Sequence, residues 1–175
     1  AVHQPMAPTA SYHPLTLASL FFLFSILGWI LETLSYLTME GVFLNRSILL
    51  GPWIPLYGIC GVLSVTMLHR FAKNPILAFC MNGLLYSVIG YLSDFTVQMI
   101  WHADLHKISQ YFCPSLLPPF FADAMFLGLI GCACQYFIAP KWKQITRKIP
   151  LWFLLCVCVL LGMLMLLDVF FAFYR

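Results

Sequence analysis

Gly51-Pro52-Trp53-Ile54-Pro55-Leu56-Tyr57-Gly58 is the stretch on which the fold turns. Two prolines and two glycines interrupt an otherwise apolar octet, and each proline removes a backbone donor and disfavours regular helix. The surroundings are apolar enough for lipid, and irregular backbone at membrane depth has to be buried in protein or line a cavity. The octet therefore reads as a re-entrant segment, or as a plain loop leading into a span at 53–71. Before it lies the apolar run Leu15 to Met39, long enough to cross a bilayer. After it come three further runs, at 75–101, 119–138 and 150–174, with Pro140 closing the fourth span and Pro150 opening the fifth.

Composition sets the solvent. The 175 residues are 62% hydrophobic and 9% charged, against about 25% charged in an ordinary soluble domain. With 16 Phe, 8 Tyr and 5 Trp and a mean hydropathy of +0.92, the chain has too little polar surface for a water-facing globule. The fold class is all-α, an integral membrane bundle of about five transmembrane helices occupying 15–175 as a single domain. Residues 1–14 hold three prolines and no lysine or arginine, and read as a flexible tail or an appended remnant, not a signal peptide. The nine Lys and Arg are dispersed between apolar blocks, so nucleic acid is not indicated. Arg70 and Lys73, and then Lys141, Lys143, Arg147 and Lys148, mark two connections as cytoplasmic by the positive-inside rule. This places the N-terminus inside and the C-terminus outside the membrane.

Cysteine and histidine offer little metal chemistry. Six cysteines (Cys60, Cys80, Cys132, Cys134, Cys156 and Cys158) sit in apolar runs, where a thiol behaves as a small hydrophobe, while Cys113 lies in a loop. Residues two apart on a helix point to nearly opposite faces, so neither C-x-C pair chelates alone. His102, Asp104 and His106 have a spacing that could bind a transition metal, and on a helix the two histidines share a face and could hold zinc together, but a third ligand is not evident. His69, His102 and His106 are not placed in the middle of spans, which disfavours heme, and no metal or cofactor is assigned.

Acids inside spans carry more information. An ionised carboxylate at the bilayer centre costs about 3 kcal/mol on insertion scales and by default marks a functional position. Glu32, Asp94, Asp123 and Asp168 lie within or at the edges of spans. Ser25, Gly28, Glu32, Ser35 and Tyr36 recur at helical spacing on the first span; Gly83, Ser87, Gly90, Asp94 and Gln98 do so on the third. Gly58 and Gly61, and Asp123, Gly131 and Gln135, form weaker stripes. The glycines read as packing seams that let helices approach closely. Asp168 shares its face with Leu161, Met165 and Ala172, and its carboxyl needs a partner on another helix. Arg46 is the natural counter-ion for Glu32.

The first half carries a family resemblance. Phe24-Ser-Ile-Leu-Gly-Trp-Ile-Leu-Glu32, then Phe43-Leu-Asn-Arg-Ser47, then the Gly51 to Gly58 octet resemble the bacterial ABC-transporter permease family of the CmpB type, marked by S-x-x-G-W-x-x-E followed by N-R-G-x-L-x-G-P-x-x-P-I-Y-G. Ser47 stands where that family prefers glycine. Phe126-Leu-Gly-Leu-Ile-Gly131 leading to Pro140, and Leu167-Asp168, look like its closing spans. The resemblance implies a multi-pass, permease-like component.

The functional expectation is a transporter component with a buried polar site between helices one, three and five, built from Glu32, Asn45, Arg46, Tyr57, Asp94 and Asp168. Discontinuous backbone beside buried charge is how several transporters hold substrates. The chain has no glycine-rich phosphate loop and no nucleophile elbow, so an ATPase would be a separate partner, docking at 69–74 or 140–149. Two alternatives stand beside this: an intramembrane enzyme acting on a lipid or isoprenoid substrate, and a structural subunit of a membrane complex. The remaining partners expected are the bilayer itself, another membrane subunit, or further copies of the chain.

Overall fold

The computed structural model describes residues 12–41, 49–101 and 119–174. Its elements are α1 (Pro14–Glu40), α2 (Pro55–Met67), α3 (Pro75–Trp101), α4 (Pro119–Ala133), α5 (Ala139–Thr146) and α6 (Leu151–Tyr174). A 3-10 stretch, Leu68–Lys73, follows α2, and a π-helical stretch, Cys134–Ile138, joins α4 to α5. No strand occurs among the described residues, and the protein is an all-α membrane bundle. Four segments are long and apolar enough to cross a membrane: Pro14–Ser35, Pro75–Leu92, Ala124–Thr146 and Leu151–Ala172.

Local chemistry sets the helix ends. Pro14 opens α1, where its missing N–H costs nothing, and the His13 ring accepts from Leu15 N at 3.3 Å. Gly41 closes the same helix in the left-handed region at φ 69°, donating its N–H to Leu37 O, a conformation that favours glycine. Pro55 opens α2 and Pro75 opens α3 by the same N-terminal rule.

The stretch expected to span at 53–71 is helical from Pro55 to Lys73, as α-helix to Met67 and as 3-10 helix beyond it. At 13 residues α2 is only about 20 Å long, short of a hydrocarbon core of about 30 Å. Ile54 N donates to Ser25 O at 3.0 Å, and Ser25 sits near the midpoint of the apolar stretch of α1. α2 thus begins beside the midpoint of the apolar stretch of α1 and runs antiparallel to it, with Gly58 against Phe21, Gly61 against Phe24 and Val65 in one core with Leu20. The chain from Leu49 to Ile54 leads into it without regular structure.

The fourth span differs from expectation. Helix continues through Pro140 to Thr146 instead of ending at Ile138. A proline inside a helix lacks the donor for the carbonyl four residues back and collides with it. The wide turn immediately before Pro140 absorbs this misfit.

α3 packs on α4, α1 packs on α2, and α6 rests on α1. Gly83 lies against the Ala124 carbonyl and Gly131 against Asn82, as packing seams require. Gly90 does not belong to a seam, since a Cβ there would meet nothing within 4 Å. Leu20, Phe24, Val65, Cys134 and Ala139 make one core, and Phe22, Leu154 and Cys158 join α1 to α6 in a second. The outward faces of α3 and α6 carry exposed Leu, Val, Phe and Tyr, the surface a lipid solvent calls for.

Candidate functional site

The site is built where the irregular segment meets the start of α2. Asp168, on the outer half of α6, is buried although its neighbours Leu166, Leu167, Phe170 and Phe171 are exposed. Its carboxylate accepts three hydrogen bonds: Oδ1 from Leu50 N at 2.8 Å, and Oδ2 from Gly51 N at 2.7 Å and from Trp53 Nε1 at 2.9 Å. Sequence pattern pointed to a partner on another helix. Instead the donors belong to the irregular segment, two of them backbone N–H groups that no helix or strand would otherwise satisfy. Hydrogen bonds to an ionised acceptor are the stronger kind, and three of them offset much of the cost of burying the carboxylate.

From Trp53 the chain reaches Ile54, whose bond to the Ser25 carbonyl sets the depth of α2, and then Tyr57 in the first turn. The Tyr57 side chain packs against Gly28, where any Cβ would collide with it. Glu32 stands one turn further along the same face of α1, partly buried. Neither Glu32 nor Tyr57 is a free polar group. Backbone glycine at 28 is therefore what lets an aromatic side chain on the half-helix sit beneath the Glu32 position.

Of the other expected site residues, Asn45 and Arg46 lie outside the described residues. So do His102, Asp104, His106 and Cys113. Asp94 falls within α3, and its side chain is outside the description, as is that of Asp123. The structure thus gathers Tyr57 and Asp168 around the irregular segment, with Glu32 along the adjoining face of α1. Among the described residues no group of three or more His, Cys, Asp or Glu side chains gathers as a metal site would need.

A second polar cluster escaped the sequence reading in part. Asn82 on α3, fully buried, accepts from Ser64 Oγ on α2 and donates to Ala78 O at 2.8 Å and to Gln135 Oε1 at 3.1 Å. Gln135 in turn donates to Leu68 O at 3.0 Å, and Tyr136 OH to Ala72 O at 2.8 Å. These bonds tie the 3-10 stretch after α2 to the π stretch before α5. Gln135 stood out as a polar residue in a span; Asn82 and Ser64 carried no signal beyond being small polar residues in apolar runs. On α3, about one turn beyond Asn82, Tyr86 is 3% exposed and lies against Cys134, and the neighbouring Ser87 hydroxyl is buried with no hydrogen-bond partner among the described residues.

α2 begins inside the bundle, so the positive end of a helix lies beside the irregular segment that Asp168 holds. A sequence model of the family described as putative ABC-transporter type IV matches residues 19–173, a stretch that takes in α2 to α5 whole and all but the outermost ends of α1 and α6. No curated protein and no solved structure matches the chain. The chain belongs to the ABC-transporter type IV family of the CmpB type.

Proposed function

We propose that the protein is the membrane-embedded, permease-like component of a transporter, and that its solute site lies at the start of α2. The observation that supports this most directly is the start of α2 inside the bundle, with Ile54 held on the Ser25 carbonyl at 3.0 Å after an irregular approach. Half-helices of this kind aim backbone dipoles at a solute where a continuous helix would leave no free polar backbone. In this reading Glu32 and Tyr57 face the solute, with Asn45, Arg46 and Asp94 completing the polar surroundings. Arg46 and the α2 N-terminus favour an anionic group on the solute, and the acids favour a coupling proton or cation. Energy from ATP would come through a separate subunit, because the chain has no phosphate-binding loop.

Native mass spectrometry of the protein extracted gently from its own membranes tests the site. A small molecule bound to the wild type and lost in both Glu32→Gln and Arg46→Ala is the expected result. A wild type that carries no ligand, together with a stoichiometric partner retained by both variants, would move the activity to another subunit.

A further inference from the structure

We infer that Asp168 is a positioning residue for this site: through the Leu50–Trp53 segment its carboxylate sets the depth and aim of the first turns of α2, and it does so without touching solute. The inference deepens the transporter reading and rests on it for the word site, though not for the geometry. Both Asp168 oxygens are already engaged, Oδ1 by Leu50 N and Oδ2 by Gly51 N and Trp53 Nε1. A solute arriving at the carboxylate would have to displace donors that have no regular secondary structure to fall back on.

The chain of contacts from Asp168 to α2 is short and continuous. Trp53 is buried and adjoins Ile54, the residue whose N–H holds α2 to the Ser25 carbonyl, and Pro55 follows as the first helical residue. Ile54 supplies no side-chain cap, so the position of this helix start is set by what precedes it and by its packing on α1. Meanwhile the described core joining α6 to α1, which includes Leu154, Cys158, Leu161 and Met165, ends before Asp168. Beyond Met165, among the described residues of α6, Asp168 is buried between exposed apolar side chains. The C-terminal half of α6 therefore acts as a strut that meets the segment aiming the half-helix through this carboxylate.

Native thiols report the outcome without any ligand. Cys60, in the second turn of α2, is 1% exposed, and Cys158, in the α1–α6 core, is 9% exposed. Purified full-length wild type, Asp168→Asn, Trp53→Phe and the double variant would be treated with N-ethylmaleimide, and labelling followed peptide by peptide. Asp168→Asn keeps the side chain's shape but turns one acceptor into an N–H₂ group facing donors. The expected result is a Cys60 rate at least tenfold higher in Asp168→Asn, a smaller rise in Trp53→Phe, no further rise in the double variant, and an unchanged Cys158 rate throughout. Should Asp168→Asn not fold, the rise at Cys60 alone in Trp53→Phe carries the same meaning. Unchanged Cys60 labelling in either folded variant would overturn the inference, and so would equal rises at Cys60 and Cys158, which mark general loosening. Because no solute enters the assay, a positive thiol result alongside a failed ligand search would remove the transporter reading and leave the positioning role in place.

Discussion

Asn82 on α3 donates its side-chain amide to Gln135 Oε1 in the π stretch at 3.1 Å, and so joins two helices that also meet through the Gly131 seam. The same amide donates to Ala78 O, and its carbonyl accepts from Ser64 on α2, so one fully buried side chain is shared by three parts of the bundle. Replacing it with leucine leaves Ser64 and the Gln135 carbonyl facing an apolar group. Asn82→Leu is expected to cost about 2–3 kcal/mol, the penalty of stranding buried polar groups, read as a lowered thermal midpoint in detergent. Equal stability of this variant and wild type would show the network to be dispensable.

Glycine seams make a sharper, signed pair. A Cβ at Gly58 would lie 2.7 Å from the Phe21 backbone oxygen, which cannot swing aside, whereas Gly90 faces open space. Gly58→Ala should part α1 from α2 and destabilise by about 1–3 kcal/mol. Gly90→Ala should instead stabilise by up to about 1 kcal/mol, the ordinary gain of alanine over glycine within a helix. Thermal unfolding of the two variants side by side checks both signs.

The contrast between these two glycines also shows how much the sequence discloses. Gly28, Gly58, Gly61, Gly83, Gly90 and Gly131 look alike as small residues on helical stripes, yet whether a neighbouring helix actually arrives depends on crossing geometry that spacing does not encode. The Gly51 to Gly58 octet was legible only in its first half: Gly51 to Ile54 is irregular, whereas Pro55 to Gly58 forms the first turn of α2, because a proline at the first helical position starts a helix as readily as it breaks one. Asp168 was legible as a buried acid needing a partner, and its companions Leu161 and Met165 do face α1. Its donors were not legible, since backbone N–H groups are present at every non-proline residue and only the fold selects Leu50 and Gly51. Pro140 reads as a stop signal, and becomes tolerable only because the preceding turn widens, which no residue type announces.

That widened turn gives the third prediction. The π stretch inserts the extra residue that carries helix past Pro140, after which Trp142 Nε1 reaches Ser19 Oγ at 2.9 Å and Thr146 is buried. Deleting Phe137, itself exposed, would restore ordinary α pitch, turn everything after it by about 100°, and set the proline ring against a carbonyl again. Phe137→Ala is expected to leave the thermal midpoint within a range of about 0.5 kcal/mol, as an exposed substitution does. The deletion is expected to abolish accumulation of folded protein in size-exclusion chromatography. A well-folded deletion variant would mean that Pro140 does not require the wide turn.

The path of the chain through the membrane yields the last prediction. At one end of the bundle Lys143 Nζ lies 4.8 Å from the Tyr12 ring centre, and Tyr136 OH donates to Ala72 O at 2.8 Å. Residues 12, 72 and 143 therefore share an end, and α1 carries Gly41 to the other. The irregular segment and α2 together must then complete one crossing between Gly41 and Asn74, though neither could do so alone. Topology reporters fused after Gly41 and after Asn74 are expected to lie on opposite sides of the membrane, and a reporter after Lys148 on the same side as the one after Asn74. The four long helices by themselves, with α2 lying at one surface, would put the Gly41 and Asn74 reporters on the same side. Basic residues agree with the first outcome: Arg70, Lys73, Lys141, Arg147 and Lys148 are exposed and fall at the shared end, where the positive-inside rule expects the cytoplasm. Gly41 and Asn74 reporters on the same side would contradict the single crossing between them, and an extracytoplasmic Asn74 reporter would contradict that charge pattern.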